Sequence, residues 1–554
     1  MPKLNGRTAF LQLLVDEGVT HLFGNPGTTE LPIMEVVPDF PQLKFVLGLH
    51  ESVVLGMADG FARASGRLTA ANVHVAPGLG NAMGALYNAK FSNSPIIVTA
   101  GQQEQGHGLL EPLLYEPLVP LAQPLVKWAV EPTRVEDLPR IMHRAAKVAL
   151  TPPTGPVFIS LPGDVLDETA ELDLGRPVRV DARVRPSDEA LARLAEMLLA
   201  ARNPVILAGQ ELAAHDAFAE AAELAELMGA AVFASSVAYS AQFPTEHPAF
   251  LGALVRNQKQ VRARLEPFDL LVCLGADLLR MSVYSPLEPL PEGLPVVHVS
   301  ERGWELGKNY RTDLAFQANV KETLRALAPL LRARRTPEAA SQAAGRLAAL
   351  RDRNWSAQRA KAAVDAMMEA ESTPIDPRFL MLRISEHLPK EAAVVEEALI
   401  SSLSLPGFLR LRDRQSFYGL ASGGLGFAMP GAIGVSLALP DRPVTAVIGD
   451  GSAMYGIQAL WTAAHLKLPI TYVITNNRSY RILKERLVSM RASDKFVGMD
   501  IRSPAIDFAG LAGSMGIAAR RVTDPNDVVP ALREAAERGG PSLIDVAVAD
   551  GFGG

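Results

Sequence analysis

A chain of 554 residues is too long for one ordinary hydrophobic core, and at ~150 residues per domain it predicts three or four units. Hydrophobic residues make up 48% and charged residues 21%, the balance of a globular protein; a net charge of −6, with no Lys/Arg run longer than Arg332-Ala333-Arg334-Arg335, excludes an electrostatic footprint for nucleic acid. A single cysteine, Cys273, excludes an intrachain disulfide framework and any cysteine-cluster metal site and points to a reducing, cytoplasmic setting; Met1-Pro2-Lys3-Leu4-Asn5-Gly6 shows no basic-then-apolar signal pattern and no stretch of 18 uncharged apolar residues appears, so neither targeting segment nor membrane span is expected.

Residues 1–180 alternate helical patterns with short β-branched runs at Val19 to Phe23, Phe45 to Leu49, Leu68 to His74 and Ile96 to Thr99. Strands alternating with helices predict a parallel sheet. Within this block Gly24-Asn25-Pro26-Gly27-Thr28-Thr29-Glu30 follows the first strand, and Leu49-His50-Glu51-Ser52 ends the second and opens a helix over Ser52 to Ala64. Asn72-Val73-His74 ends the third, and Pro77-Gly78-Leu79-Gly80 follows it. Gly78-x-Gly80 is not a dinucleotide fingerprint, because the next glycine, Gly84, comes one place too late. His74 is a side chain whose ordinary pKa suits proton transfer near neutral pH, although a strand-end histidine also serves as a structural hydrogen-bonding group. A carboxylate such as Glu51 is by itself an ordinary helix N-terminal group.

Proline and arginine cluster from Gly175 to Pro186 as a linker. A second alternating block, 187–335, carries strands near Val205 to Ala208, Leu270 to Leu274 and Val296 to Val299. Residues 336–371 are Ala/Arg-rich and helical, and Ser372-Thr373-Pro374 breaks them. The third block, 372–554, has strands near Ala393 to Val395, Val444 to Ile448 and Thr471 to Thr475. The fold class is therefore α/β, with three doubly wound parallel-sheet domains. A weak internal echo, Pro77 to Gly84 against Gly424 to Gly431, suggests that the first and third blocks share a fold.

Gly449-Asp450-Gly451-Ser452 follows the apolar run Val444 to Ile448, and Asn476-Asn477 ends the next strand, Asn477 lying 27 residues beyond Asp450. A Mg²⁺ ion wants hard oxygen donors and a diphosphate wants N–H groups at a glycine turn, so Asp450, the Asn477 side chain and the Ser479 carbonyl are candidate ligands.

This pairing of Gly-Asp-Gly with Asn-Asn resembles the signature of the thiamine-diphosphate enzymes. The segments around Thr28 and His74 are similar to those of the 2-oxo acid decarboxylases in that superfamily, the benzoylformate decarboxylase group above all, and the likeness spans all three blocks. The resemblance implies a pyrimidine-binding domain at 1–180, a middle domain at 187–335, a helical linker at 336–371 and a diphosphate-binding domain at 372–554. It implies that Glu51 faces the pyrimidine N1′ of thiamine diphosphate, that His74 and Thr28 handle protons, and that Mg²⁺ sits on Asp450, Asn477 and Ser479. Ser401, Ser402, Gly423, Leu425, Gly449, Gly451, Ser452, Asn477 and Tyr480 then line the cofactor, Leu425 propping its bend. The substrate would be a small 2-oxo acid, and the site would be completed by a second copy in a homodimer at minimum, or a homotetramer.

Three departures qualify the resemblance. Ser282 stands where that group has a second histidine, while Gly419 and the run Lys484-Glu485-Arg486 stand where it has aromatic side chains, so a phenyl-sized pocket is not implied. A solvated helix face is the plain alternative for the charged run. Carboligation of the acetolactate synthase kind, and a non-catalytic cofactor-binding relative, are the rival expectations. The middle block shows no phosphate loop and is expected to be empty.

Overall fold

The computed structural model describes residues 2–281 and 283–552, so the expectation placed on Ser282 lies outside the described residues. Three six-stranded sheets form in succession, and every strand pairing inside them is parallel. The first sheet runs, edge to edge, Lys44–Leu47, His21–Gly24, Thr69–Val73, Ile96–Gln102, Val157–Pro162 and Ala129–Val130. Numbered by chain position within the sheet, that order is 2-1-3-4-6-5. The third sheet, Phe417–Gly419, Ala393–Glu397, Val444–Gly449, Ile470–Asn476, Ser542–Ala547 and Ala518–Val522, has the same 2-1-3-4-6-5 order. The middle sheet is wound differently, 3-2-1-4-5-6, from Phe250–Ala253 at one edge to Leu314–Gln317 at the other. Central strands such as Val157–Pro162 are buried along their whole length, which is why they read as continuous apolar runs rather than alternating ones.

Shared topology establishes that the first and third units have one fold, but the residues that echo each other in sequence are not its equivalent positions. Pro77 to Gly84 lie in helix α2 (Val75–Phe91), after the third strand of its sheet; Gly424 to Gly431 lead into helix α3 (Ala428–Ala438), after the second. The true counterpart of α3 is helix α1 (Glu51–Ser65). The strand before α1 ends at Leu47 because His50, in extended conformation, caps the helix, its Nδ1 accepting from the Ser52 N–H at 3.2 Å.

Helices α1 and α3 pack against each other, joining the two units within one chain. A Cβ on Gly434 would stand 2.0 Å from the Met57 carbonyl oxygen, and one on Gly60 2.3 Å from that of Gly431, so the two backbones touch where side chains would hold them apart. Val53, Met57 and Phe61 share a buried cluster with Met429, Ile433 and Val435. At the far end of α1, Arg63 donates to the Gly419 carbonyl at 3.0 Å and to the Tyr239 carbonyl, and lies over the Phe427, Tyr239 and Tyr418 rings at 4.6, 5.7 and 5.7 Å. Burial lowers its guanidinium below the usual arginine range. All three units meet at this side chain. Gly419 belongs to that junction, a Cβ there meeting the Ala238 oxygen at 3.2 Å.

Residues 336–371 form helices Pro337–Ala349 and Trp355–Met367; Trp355 is buried and donates to the Pro406 carbonyl at 3.0 Å. Among the described residues no helix is long and apolar enough to cross a membrane.

Candidate active site

In a sheet ordered 2-1-3-4, the connections leave strands 1 and 3 in opposite directions, and a crevice opens at their carboxyl ends. In the first unit those ends are Gly24 and Val73, followed by Asn25 and His74, with Glu51 opening α1 beside them. Glu51 is buried, its Oε1 accepting from Asn25 Nδ2 at 3.1 Å and its Oε2 from Asn81 Nδ2 at 3.0 Å. Two amides from different elements therefore hold one carboxylate. Gly78 passes so close that a Cβ would lie 3.1 Å from Glu51 Oε1.

His74 Nδ1 lies 2.7 Å from Glu30 Oε2, and Glu30 is wholly buried. The same carboxylate accepts from the Gly27 and Gly101 N–H groups, each at 2.8 Å, and from the Thr29 hydroxyl at 2.9 Å. With every other contact a donor, the carboxylate orients the imidazole with Nδ1–H toward Glu30 and leaves Nε2 as the exchangeable nitrogen. Room for the pair exists because Gly27 and Gly101 lack side chains: a Cβ would stand 2.2 Å from His74 Nδ1 at the first and 2.3 Å from Glu30 Oε1 at the second. Thr28, named from sequence, is exposed, and the hydroxyl in contact with the imidazole, 3.1 Å from Nδ1, is that of Thr29.

At the matching crevice of the third unit, Asp450 follows the third strand and Asn477 the fourth. Asp450 Oδ1 accepts from the Gly451 N–H at 2.8 Å and Oδ2 from the Arg478 N–H at 2.6 Å; Asn477 Oδ1 accepts from the Ser479 N–H at 2.9 Å. Arg478 takes up φ 53°, a left-handed conformation that turns the loop back over Asp450. Gly451 lies under the Tyr480 ring, a Cβ there meeting its Cε1 at 2.6 Å, and Ser452 and Ser479 are buried beside it. Burial lifts the Asp450 carboxyl from its ordinary 3.8 to about 6, against the pull of the backbone amides of Gly451 and Arg478.

The donor set fits a hard divalent cation. Among the described residues no three His, Cys, Asp or Glu side chains cluster as a metal site, and Asp450 makes no salt bridge. What the loop offers is one desolvated carboxylate, one amide and one carbonyl, the oxygen-rich incomplete set on which Mg²⁺ retains water or takes phosphate oxygens.

Glu397, at the end of the first strand, accepts from the Gly426 and Ala428 N–H groups, both at 2.6 Å, and burial lifts its carboxyl to about 7. It thereby fixes the loop that carries Gly423, which is exposed at φ 86°, and half-buried Leu425. Asn88 of α2 supports the same loop, its Oδ1 accepting from the Ala421 and Ser422 N–H groups at 3.2 and 3.1 Å. Ser401 and Ser402 are buried in the turn Leu399–Ser402; the Ser402 hydroxyl is committed to Glu396. Gly449 closes the third strand beside Ala398.

Three profiles match in succession: the N-terminal TPP binding domain of thiamine pyrophosphate enzymes over residues 4–111, the central domain over 191–327 and the C-terminal TPP binding domain over 403–546. Benzoylformate decarboxylase of Pseudomonas aeruginosa is 34% identical over 97% of this chain and 98% of its own. The chain belongs to the thiamine-diphosphate-dependent 2-oxo acid decarboxylase family. It is accordingly a thiamine-diphosphate-dependent carboxy-lyase in class. Among solved structures of this family, the 4-hydroxybenzoylformate decarboxylase of Rhodococcus jostii RHA1 superposes with a TM-score of 0.87 at 36% identity, each chain covered to 99%. Benzoylformate decarboxylase from Polynucleobacter necessarius gives 0.87 at 28%, again with 99% of each chain covered. More distant members include a putative acetolactate synthase large subunit of Mycobacterium tuberculosis, 29% identical over 98% of this chain and 99% of its own.

Glu30, Glu397, Asn25 and Asn81 are site residues that sequence reasoning did not single out. Glu30 follows Gly27 by three residues before a helix, the spacing of a capping box, and only its contact with His74 distinguishes it from a plain cap. The run Lys484-Glu485-Arg486 lies in helix α4 (Arg481–Arg491), where Lys484 departs from a solvated helix face: it is buried in an ion cluster of its own.

Proposed function

We propose that this enzyme decarboxylates a 2-oxo acid non-oxidatively to an aldehyde, as a benzoylformate decarboxylase-like enzyme with thiamine diphosphate and Mg²⁺. The observation that carries the reading is the Glu30–His74 pair beside the amide-clamped Glu51, three ionisable groups converging at one sheet crevice. The chemistry that bound thiamine diphosphate supplies is an electron sink for the bond pair freed when CO₂ leaves. Glu51 would hold the pyrimidine ring nitrogen through a charge-assisted hydrogen bond, Asn25 and Asn81 keeping its two oxygens in place. His74 would exchange the proton of the product-forming step through Nε2, with Glu30 fixing its orientation and Thr28 offering a hydroxyl at the crevice mouth. Asp450, Asn477 and the Ser479 carbonyl would hold Mg²⁺, while Gly449, Gly451, Ser452, Tyr480 and the Leu399–Ser402 turn border the diphosphate.

As the family resemblance implies, the site would be completed by a second copy, Glu51 of one chain facing Asp450 of the other, in a homodimer or a homotetramer. The domain limits we propose are 1–180, 187–335, 336–371 and 372–554. Relatives named acetolactate synthase favour carboligation as the second reading. The buried lone thiol of Cys273 supports a cytoplasmic setting.

Incubation of the purified protein with thiamine diphosphate, Mg²⁺ and a panel of 2-oxo acids, with CO₂, aldehyde and acyloin measured, tests the proposal. Aldehyde release abolished by Glu51→Gln and depressed by His74→Ala is expected. Acyloin as the sole product, with His74→Ala fully active, would turn the assignment toward carboligation; absence of CO₂ from every acid would end it.

A further inference from the structure

Burying a lysine is unfavourable unless its ammonium is fully engaged, and Lys484 is buried with a side chain only 3% exposed. Its Nζ donates to Asp500 Oδ1 at 2.7 Å, stands 3.7 Å from Asp550 Oδ2, and lies over the Phe496 and Phe552 rings at 5.2 and 5.8 Å. Those rings meet each other edge-on at 5.2 Å. Arg502 closes the cluster, reaching Asp500 at 3.2 Å and pairing with Asp550. Three segments distant in sequence are thus tied together: the start of α4, the loop around 496–502, and the stretch Ala549–Phe552.

Each of these segments borders the loop that carries the candidate metal ligands. The 496–502 loop runs antiparallel to it: the Tyr480 N–H donates to the Met499 carbonyl at 2.9 Å, the Ile501 N–H to the Arg478 carbonyl at 2.8 Å, and the Ser479 hydroxyl to the Met499 carbonyl at 3.2 Å. Ser479 and Asp500 face each other in that pairing. From the other side, the Val548 N–H donates to the Asn476 carbonyl at 3.0 Å, and Arg481, first residue of α4, donates to the Ala549 carbonyl at 3.4 Å. The loop itself is held in a strained form, with Arg478 left-handed, and its own contacts to Asp450 and Asn477 are few.

We propose that Lys484 is a positioning residue for the metal loop: through Asp500, Arg502 and Asp550 it latches residues 477–480 in the conformation that presents the Asn477 side chain and the Ser479 carbonyl to a divalent ion. The inference rests on the cofactor site proposed above. Lys484, engaged by Asp500, Asp550 and two aromatic rings, would supply no ligand to the ion and acts by removing freedom from the loop that would.

The test uses the full-length protein with Lys484→Met, Lys484→Arg and Asp550→Asn, titrating MgCl₂ calorimetrically at fixed thiamine diphosphate, beside melting curves of the metal-free proteins and kcat at saturating Mg²⁺. Half-saturating Mg²⁺ is expected to rise about tenfold or more in Lys484→Met and in Asp550→Asn, the scale on which supporting residues act on a metal site, and to stay within about twofold in Lys484→Arg. At saturating Mg²⁺, kcat should return to within about twofold of the unaltered enzyme, which separates loop positioning from catalysis. Should Lys484→Met fail to fold, Asp550→Asn decides, because Lys484 keeps Asp500 as its partner there. Unchanged half-saturation in the folded variants, or an equal rise in Lys484→Met and Lys484→Arg, overturns the role of Lys484 alone. If the unaltered protein shows no Mg²⁺ heat that Asp450→Asn abolishes, the cofactor site falls and the latch falls with it.

Discussion

Replacing Asp450 with Asn removes a charge whose burial opposes folding of the metal-free protein. The carboxyl is 4% exposed and its pKa stands at about 6 against an ordinary 3.8, so at about pH 7.5 ionisation disfavours the native state by ~3 kcal/mol at 1.36 kcal/mol per pKa unit. The native state binds this proton more tightly than the unfolded chain. Stability from this group is therefore greatest below pH 3.8, is lost as pH rises to about 6, and stays lost above it. An asparagine retains one oxygen for the Gly451 and Arg478 N–H groups but not two, which costs about 1 kcal/mol. The net expectation for Asp450→Asn without ligands is a gain of roughly 2 kcal/mol at about pH 7.5, or some 4–8 °C for a cooperative unit of about 150–250 residues. Differential scanning calorimetry between about pH 5 and 8 would read it, the gain shrinking toward the acid end. Mg²⁺ with thiamine diphosphate should raise the melting temperature of the unaltered protein and not of the variant. A variant less stable than its parent at about pH 7.5, or a difference that does not change with pH, would refute the argument.

Glu30→Gln leaves one oxygen facing four donors, including the backbone N–H groups of Gly27 and buried Gly101. Steady-state kinetics should show kcat/KM falling by about 10²-fold, the lower end of what positioned proton transfer contributes, with an unchanged far-ultraviolet spectrum. Gly434→Ala drives a methyl to 2.0 Å from the Met57 carbonyl, and urea unfolding should show a loss of about 1–3 kcal/mol from overpacking. Arg63→Met strands the Gly419 carbonyl, leaves the Tyr239 carbonyl with only the Gly419 N–H, and removes the cation from among three aromatic rings, so about 1–3 kcal/mol should be lost and the calorimetric transition should split as the units uncouple.

Several parts of this protein are legible in order of residues alone because they are local. Alternating apolar runs and helical stretches betray three α/β units, since a buried parallel strand must be apolar on both faces. Gly449-Asp450-Gly451 and Asn477 announce themselves because a glycine turn at a strand end is a short-range requirement, and Glu51 and His74 stand at strand ends for the same reason. Edge strands such as Ala518–Val522, with Arg520 and Arg521 inside it, carry no such apolar run and emerge only from their partner.

What tertiary structure alone decided is partnership. That Glu30 serves His74 besides capping a turn, that Thr29 and not Thr28 touches the imidazole, and that Glu397 tethers the loop of Leu425 all depend on segments dozens of residues apart. Gly419 sits at a junction of three units, and Lys484, in a run for which a solvated helix face is the plain alternative, is enclosed. Sequence determines which chemical groups stand at the ends of strands, because backbone geometry enforces it every few residues. Which of those groups are desolvated, and by whom they are held, is set by packing across the fold, where the strength of a charge depends on everything that displaces water from it.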